Sequence, residues 1–283
     1  MHQGGLSRRS VVPRKWRRKA LGAVAGGQTA IVGPQHSPPE TSHPSYNPIG
    51  FQLIGRTNTV KLLALDTSTE HCSAALWLDG TIVAEGVHAG QRHSELLLPM
   101  IDRLLADAGL TLHALDAIAF GEGPGSFTGL RIACGVAQGL AFGADLPVVG
   151  IGTLIALAEA SAATESACCL DARMKEVYFA AYRRTGGVWQ TVCAPGLYSP
   201  ERLPTLPQGQ WIGCGNGFAV YPEALAGSLG DRLHAVSAVS VPHAREIATL
   251  AALEVAQGRV LPAEEALPLY IRDKVALTIE EQP

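Results

Sequence analysis

Two short stretches carry the residue types that phosphate and metal chemistry uses. Asp66-Thr67-Ser68 places a carboxylate and two hydroxyls directly after an apolar run, Leu62 to Leu65. A strand ending in Asp can hold a phosphate and its metal where a glycine lets backbone N–H groups come close. Here the middle residue is Thr67 and no glycine is adjacent, so Asp66, Thr67 and Ser68 read either as a degenerate nucleotide turn or as a plain one. The second stretch is Gly121-Glu122-Gly123-Pro124-Gly125-Ser126-Phe127-Thr128-Gly129. Its sixth position is Ser126, which departs from a dinucleotide fingerprint. The chain has no Gly-Lys pair for a P-loop, and Ser126 stands one place too early for a nucleophile elbow. Gly123, Pro124, Gly125 and Ser126 therefore read as a structural strand-to-helix loop, with a helix N-terminus at Phe127 that could attract an anion.

The other chemistry-bearing residues are scattered. Nine histidines form no HExxH or HxxxH pair, and His88 and His93 stand five apart. Glu122 and Glu176 are single acids with no paired role. Six cysteines include no CxxC, which fits neither a disulfide framework nor a zinc site; a reduced, cytoplasmic protein is expected.

The elements that must position these residues follow from periodicity. Leu62–Leu65, Cys72–Leu78 and Thr81–Val87 read as three antiparallel strands, with Asp79-Gly80 as a hairpin turn. Ser94–Ala108 reads as a helix with Leu97, Ile101, Leu104, Leu105 and Ala108 on one face, ended by Gly109. A strand at Ala117–Phe120, a helix at Phe127–Phe142, a strand at Val148–Ile151 and a helix at Thr153–Ala160 follow. That order, three strands and then alternating helices and strands, is the pattern of a ribonuclease-H-like α/β unit. The pattern then restarts. Ala167–Leu170 ends at Asp171, and Glu176–Arg183 with Val188–Cys193 forms a hairpin. Trp211–Gly213 is a strand and Phe218–Ala226 a helix. Pro242–Gln257 is a last helix with Ile247, Leu250, Ala251 and Leu253 inward. The expected architecture is a duplicated, actin-like ATPase fold, with a first unit at 60–162 and a second, degenerate unit at 163–283.

Composition sets the outer bounds. The chain has 283 residues, 47% hydrophobic and 17% charged, as a folded protein does. Its longest uncharged apolar stretches, Ile132–Ala144 and Leu146–Ala158, fall short of the roughly 18 residues that suggest a membrane span. Residues 1–60 carry eight Lys/Arg and one Glu, whereas 61–283 carry 14 Lys/Arg and 24 Asp/Glu. An acidic body repels a phosphate backbone, so any nucleic-acid work calls for a partner that holds the nucleic acid. Residues 1–59 contain a basic run around Trp16 and then Pro34, Pro38, Pro39, Pro44 and Pro48. Arg8-Arg9 with the glycine-broken Ala20–Val32 makes a poor targeting signal. A disordered, non-native extension is expected there, with Val60 as the natural start.

Four ordered segments, Lys61–Thr69, Gly121–Arg131, Asp171–Tyr178 and Pro268–Val275, resemble the bacterial TsaB (YeaZ) family over essentially all of 60–283. The resemblance implies a non-catalytic scaffold in the synthesis of N6-threonylcarbamoyladenosine at position 37 of tRNAs that read codons beginning with A. It implies a TsaD-like catalytic paralogue and a TsaE-like P-loop ATPase as partners, with tRNA reached indirectly through the complex. It also implies ATP and a metal on the partners, no cofactor held by this chain, and a homodimer as a further form. The metal ligands of the paralogues, His-x-x-x-His, correspond here to Thr153 and Leu157. The family pairs through the two helices of its first unit, so Leu97, Ile101, Leu104, Leu130, Ala133, Ala137 and Leu140 are the interface candidates. Two rival readings remain at this stage: a small-molecule kinase using Asp66, and a peptidase, for which no nucleophile–base pair is present.

Overall fold

A computed structural model of the chain describes residues 60–272; the expectations for residues 1–59 lie outside the described residues. β1 (Lys61–Asp66) is buried from Leu62 onward and forms the centre of the first sheet. β2 (His71–Leu78) pairs antiparallel with it and β3 (Thr81–His88) antiparallel with β2, while β4 (Ala117–Gly123) pairs parallel on its other side and β5 (Val148–Gly152) parallel with β4. The order is β3-β2-β1-β4-β5. α1 (His93–Asp107) and α2 (Phe127–Ala144) cover one face, and α3 (Thr153–Ser161) follows β5 directly.

The second sheet repeats this plan. β6 (Glu165–Arg173) pairs antiparallel with β7 (Glu176–Thr185), which pairs with β8 (Val188–Tyr198). β9 (Trp211–Cys214) joins β6 in parallel, and β10 (Leu233–Val236) joins β9. The order β10-β9-β6-β7-β8 is the first sheet's order read from the other end. The fold is α/β, a duplicated ribonuclease-H-like pair of sheets of the actin-like kind.

One apolar cluster fills the space between the sheets, one lies beneath α1 and α2, and one beneath the short helices α4 (Gly217–Val220) and α5 (Pro222–Leu229). The expected division at residue 162 falls between α3 and β6, yet the core crosses it. Leu154 and Leu157 of α3 and Ile247 and Ala251 of α6 (Ala244–Ala256) share the cluster between the sheets with Leu62, Cys168 and Leu170.

Four details differ from the expectations. The helix expected at Phe218–Ala226 is two, because Pro222 lacks an N–H and pushes Tyr221 out of helical geometry (φ −128, ψ 53). β4 runs three residues into the expected loop, where Gly121 and Gly123 pair with Ile151 and Gly152. β10 was not expected, since Leu-His-Ala-Val shows no buried face. Leu253 is 54% exposed instead of inward: at 100° per residue it turns away from the Ile247–Ala248–Ala251 arc.

α6 begins with an unusual cap. The His243 side chain accepts a hydrogen bond from the Arg245 backbone N–H through Nδ1, 3.1 Å away, so the ring must be neutral there. Burial, then the charges of His71 and Arg245, pushes its pKa down to about 4. A depressed base stabilises the fold above its unfolded value near 6.5, and that stability is lost as pH falls through the folded value. His243→Asn retains a capping acceptor without a titrating ring. Denaturant melts across pH 4–7 are expected to show the difference between variant and parent moving in the variant's favour as pH drops; a constant difference would refute the assignment.

Candidate functional site

The end of β1 and the glycine loop after β4 are interlocked. The Ser126 backbone N–H donates to Ser68 O at 2.7 Å, and Thr67 Oγ1 donates to Gly129 O at 2.7 Å. A methyl group on Gly125 would stand 2.5 Å from Ser68 O, and one on Gly129 would overlap Thr67 O. Only glycine lets the two backbones approach this closely. Pro124 O accepts from Thr153 Oγ1 at 2.5 Å, and Ser126 caps α2 through its side chain, which accepts from Gly129 N. Gly123, Pro124, Gly125 and Ser126 thus form the strand-to-helix connection that starts α2.

Asp66 lies beneath this interlock and is wholly buried. Its Oδ1 accepts from Ser68 N (3.2 Å) and Ser68 Oγ (2.9 Å). Its Oδ2 has no hydrogen-bond partner and occupies the place that a side chain on Gly121 would take. Desolvation raises its pKa from 3.8 to about 7, against the two Ser68 hydrogen bonds, which lower it.

Such a turn does not fit a nucleotide phosphate and its metal. Thr67 and Ser68 are as buried as Asp66, and their polar groups are engaged with the loop and the turn itself. The degenerate nucleotide role expected for Asp66, Thr67 and Ser68 gains no support from this packing, in which all three serve the turn.

The open space lies between the two sheets. A cleft of about 520 Å³ is lined by Ser68, Glu70 and Ser126 from the first half and by Asp171, Arg173 and Asn216 from the second. Asp171 is the second-half counterpart of Asp66 at the end of the corresponding strand, and it is differently held. Its backbone N–H donates to Asn216 Oδ1 at 2.9 Å, Tyr221 Oη donates to its Oδ1 at 3.3 Å, and Arg173 Nη1 stands 3.2 Å from its Oδ2. The cleft's third wall is the segment after α6. Leu261 pairs with Val148, Leu269 N donates to Glu122 O at 2.7 Å, and Arg272 bonds Glu176. All four segments singled out in the sequence meet around this cleft, the last of them as far as Arg272. Asn216 and Tyr221 were missed, since neither stands in a recognisable motif.

A family model described as TsaD, tRNA N6-adenosine threonylcarbamoyltransferase, matches residues 85–279. The chain is 37% identical over 225 residues to the tRNA threonylcarbamoyladenosine biosynthesis protein TsaB of Escherichia coli, covering 77% of this chain and 96% of that one. It is 40% identical over 227 residues to the protein of the same name from Haemophilus influenzae, covering 76% and 94%. Among solved structures, YeaZ from Pseudomonas aeruginosa superimposes with a TM-score of 0.69 at 40% identity, over 75% of this chain and 99% of that one. The chain belongs to the TsaB (YeaZ) family.

At the two positions where the TsaB resemblance places the paralogues' metal ligands, Thr153 is buried and hydrogen-bonded, and Leu157 is in the core. Among the described residues no group of three or more His, Cys, Asp or Glu is arranged to hold a metal. The residues expected at the interface lie on the side of α1 and α2 that faces their own sheet. Leu97, Ile101, Leu104, Ala133 and Ala137 are 0–4% exposed in the core beneath α1 and α2, Leu130 is 1% exposed beside Gly123, and Leu140 is half-buried against the same core. They bind the helices to their own sheet, and one helix face cannot serve both purposes. The outward face of α2 is made by Thr128, Arg131, Gly135, Gly139 and Phe142.

Two outcomes follow from this geometry. Gly129→Ala is expected to destabilise by about 2–3 kcal/mol through overpacking, whereas Gly135→Ala, which meets nothing within 4 Å, is expected to stabilise α2 by about 0.5–1 kcal/mol. Chemical denaturation separates the two, and equal effects would contradict the interlock. A raised acid stabilises below its unfolded value, and that stability is lost as pH rises through the folded one, here from 3.8 to about 7. Asp66→Asn is therefore expected to gain on the parent across that window, with a limiting slope of about 1.4 kcal/mol per pH unit, and to run parallel to it at higher pH.

Proposed function

We propose that this chain is a non-catalytic scaffold of N6-threonylcarbamoyladenosine synthesis on tRNA, which docks a TsaD-like catalytic paralogue through the outward faces of α1 and α2. Its relatives in E. coli and H. influenzae are named for tRNA threonylcarbamoyladenosine biosynthesis, and its role lies in that pathway. The observation that carries the scaffold reading is the outer face of α2. Cβ atoms built on Gly135, Gly139 and Gly143 meet no atom within 4 Å, so a facing helix can come close to the backbone. Phe142, 79% exposed, stands on the same side, and Leu98 of α1 is 46% exposed. Helices that approach along small residues bury area without large side chains, and a stable interface needs about 800 Å² per partner.

In this reading ATP, the metal and most of the tRNA contacts belong to the partners, including a TsaE-like ATPase, and the complex works in the cytoplasm. The buried Asp66 and the core positions of Thr153 and Leu157 support it. The kinase and peptidase readings have gained no observation in their favour.

Reconstitution with the TsaD-like and TsaE-like subunits, threonylcarbamoyl-AMP, ATP and unmodified tRNA tests the proposal. Modified adenosine is expected only when all three proteins are present, and Gly139→Leu is expected to abolish both association with the TsaD-like subunit and modification. Modification by the isolated chain, or an unchanged level in its absence, would refute the scaffold role.

A further inference from the structure

The start of α6 is fastened to the first sheet by more than its own cap. Ser73 Oγ of β2 accepts from the Ala244 backbone N–H at 2.9 Å, beside the 3.1 Å bond from Arg245 N to His243 Nδ1. The His243 ring lies against His71 of β2, with centroids 5.4 Å apart and planes inclined at 44°. The two rings fill the space over Gly86 of β3. A methyl group on Gly86 would stand 2.5 Å from His243 Nε2 and 2.7 Å from His71 Cε1. His88 is the cross-strand partner of His71, so its side chain leaves the β2–β3 pair on the same face. Three elements thus meet around imidazole rings that no sequence spacing links.

This arrangement holds with uncharged rings. The lone pair that accepts from Arg245 N leaves the His243 proton on Nε2. A second proton, on Nδ1, removes the acceptor and puts a cation at the positive end of the helix. His71 Nδ1 is buried without a hydrogen-bond partner, so a proton placed there finds no acceptor. Charge on both rings would also repel across their contact. The neighbouring groups give little relief. Burial lowers the His71 pKa, His88 on β3 and His93 on α1 push the same way, and Glu70 before β2 opposes them. For His243, burial, His71 and Arg245 all push downward.

We propose that His71 and His243 form a pH-sensitive clasp that fastens the start of α6 to the β2–β3 pair, and that their protonation frees this helix end while the second sheet stays folded. α6 carries Ile247, Ala248 and Ala251 into the cluster between the sheets, so the clasp sits at the beginning of a helix that joins the two halves. Release restores water to both rings and so raises their affinity for protons, and a base of this kind favours the released form as pH falls. The clasp does not depend on which protein covers α1 and α2. A global melt does not distinguish local release from uniform weakening, whereas signals read residue by residue do.

The test is amide exchange and NMR of the full chain across pH 4–7. Protection of the Ala244 and Arg245 amides, corrected for intrinsic exchange, is expected to fall by about a hundredfold or more between pH 6.5 and about 4, from the His243 shift alone. Ala167, Cys168 and Cys169 of β6 are expected to retain their native signals over that range. His243→Asn, which keeps a capping acceptor, is expected to lose most of the pH dependence at Ala244 and Arg245. His71→Asn is expected to lose a smaller part, and the double variant all of it. The parent alone overturns the clasp if the start of α6 and β6 lose their native signals in one step, or if neither changes down to pH 4. A double variant that releases as the parent does overturns it as well.

Discussion

The structure depends on a contact between two backbones. Ser68 O and Thr67 O lie so close to Gly125 and Gly129 that any side chain there would collide, and the hydrogen bonds Ser126 N to Ser68 O and Thr67 Oγ1 to Gly129 O hold the approach in place. This contact sets where β4 ends and α2 begins. It also closes the space around Asp66, leaving a carboxyl that burial drives toward the neutral form. A phosphate would need those backbone N–H groups free and that carboxylate ionised. The tight packing that starts the helix thus also engages the polar groups of the Asp66–Ser68 turn.

The two halves show how far one topology can diverge. Both have a central strand carrying an Asp at or near its end, Asp66 in β1 and Asp171 in β6, beside a hairpin, with a parallel neighbour on the other side. In the first half the loop after the parallel neighbour presses onto the turn. In the second, Gly215 packs against Cys169 O, but Asn216 and Tyr221 reach the backbone and side chain of Asp171 at the cleft wall. The halves do not separate cleanly, because α3 and α6 place their apolar faces in one shared cluster between the sheets. Relative motion of the sheets would have to shear that close-packed cluster.

Much of the architecture was readable because periodicity reports burial. Leu62–Leu65, the stripe of Leu97, Ile101, Leu104 and Leu105, and the restart at Ala167–Asp171 all mark surfaces that face a core. The same logic bears on the interface expected on α1 and α2. The resemblance pointed to these two helices, and the apolar residues chosen on them, Leu97, Ile101, Leu104, Leu130, Ala133, Ala137 and the half-buried Leu140, lie on the side that packs on their own sheet. The outward side of α2 is built from Thr128, Arg131, Gly135 and Gly139, which have low hydrophobicity and leave no periodic signal. β10 escaped for a similar reason, since an edge strand with three exposed residues of four has no face to alternate. Asn216 and Tyr221 act through contacts 45 and 50 residues away in the chain, which no local pattern encodes.

The segment from Leu261 to Arg272 connects the two surfaces of interest. It enters beside β5, passes under Gly123 and over Glu122 through Leu269, lays Tyr270 against Phe127 and Arg131, and ends with Arg272 on Glu176 of the second half. Tyr270 and Arg272 are two residues apart, so in extended chain their side chains emerge on the same side about 7 Å apart. One segment therefore touches the outward face of α2 and the cleft at once, and the orientation of Arg131 is only as firm as the attachments on either side of Tyr270. Leu269 N to Glu122 O on one side and the Arg272–Glu176 pair on the other supply that firmness. A guanidinium positioned in this way depends on attachments to both halves, Glu122 of the first and Glu176 of the second.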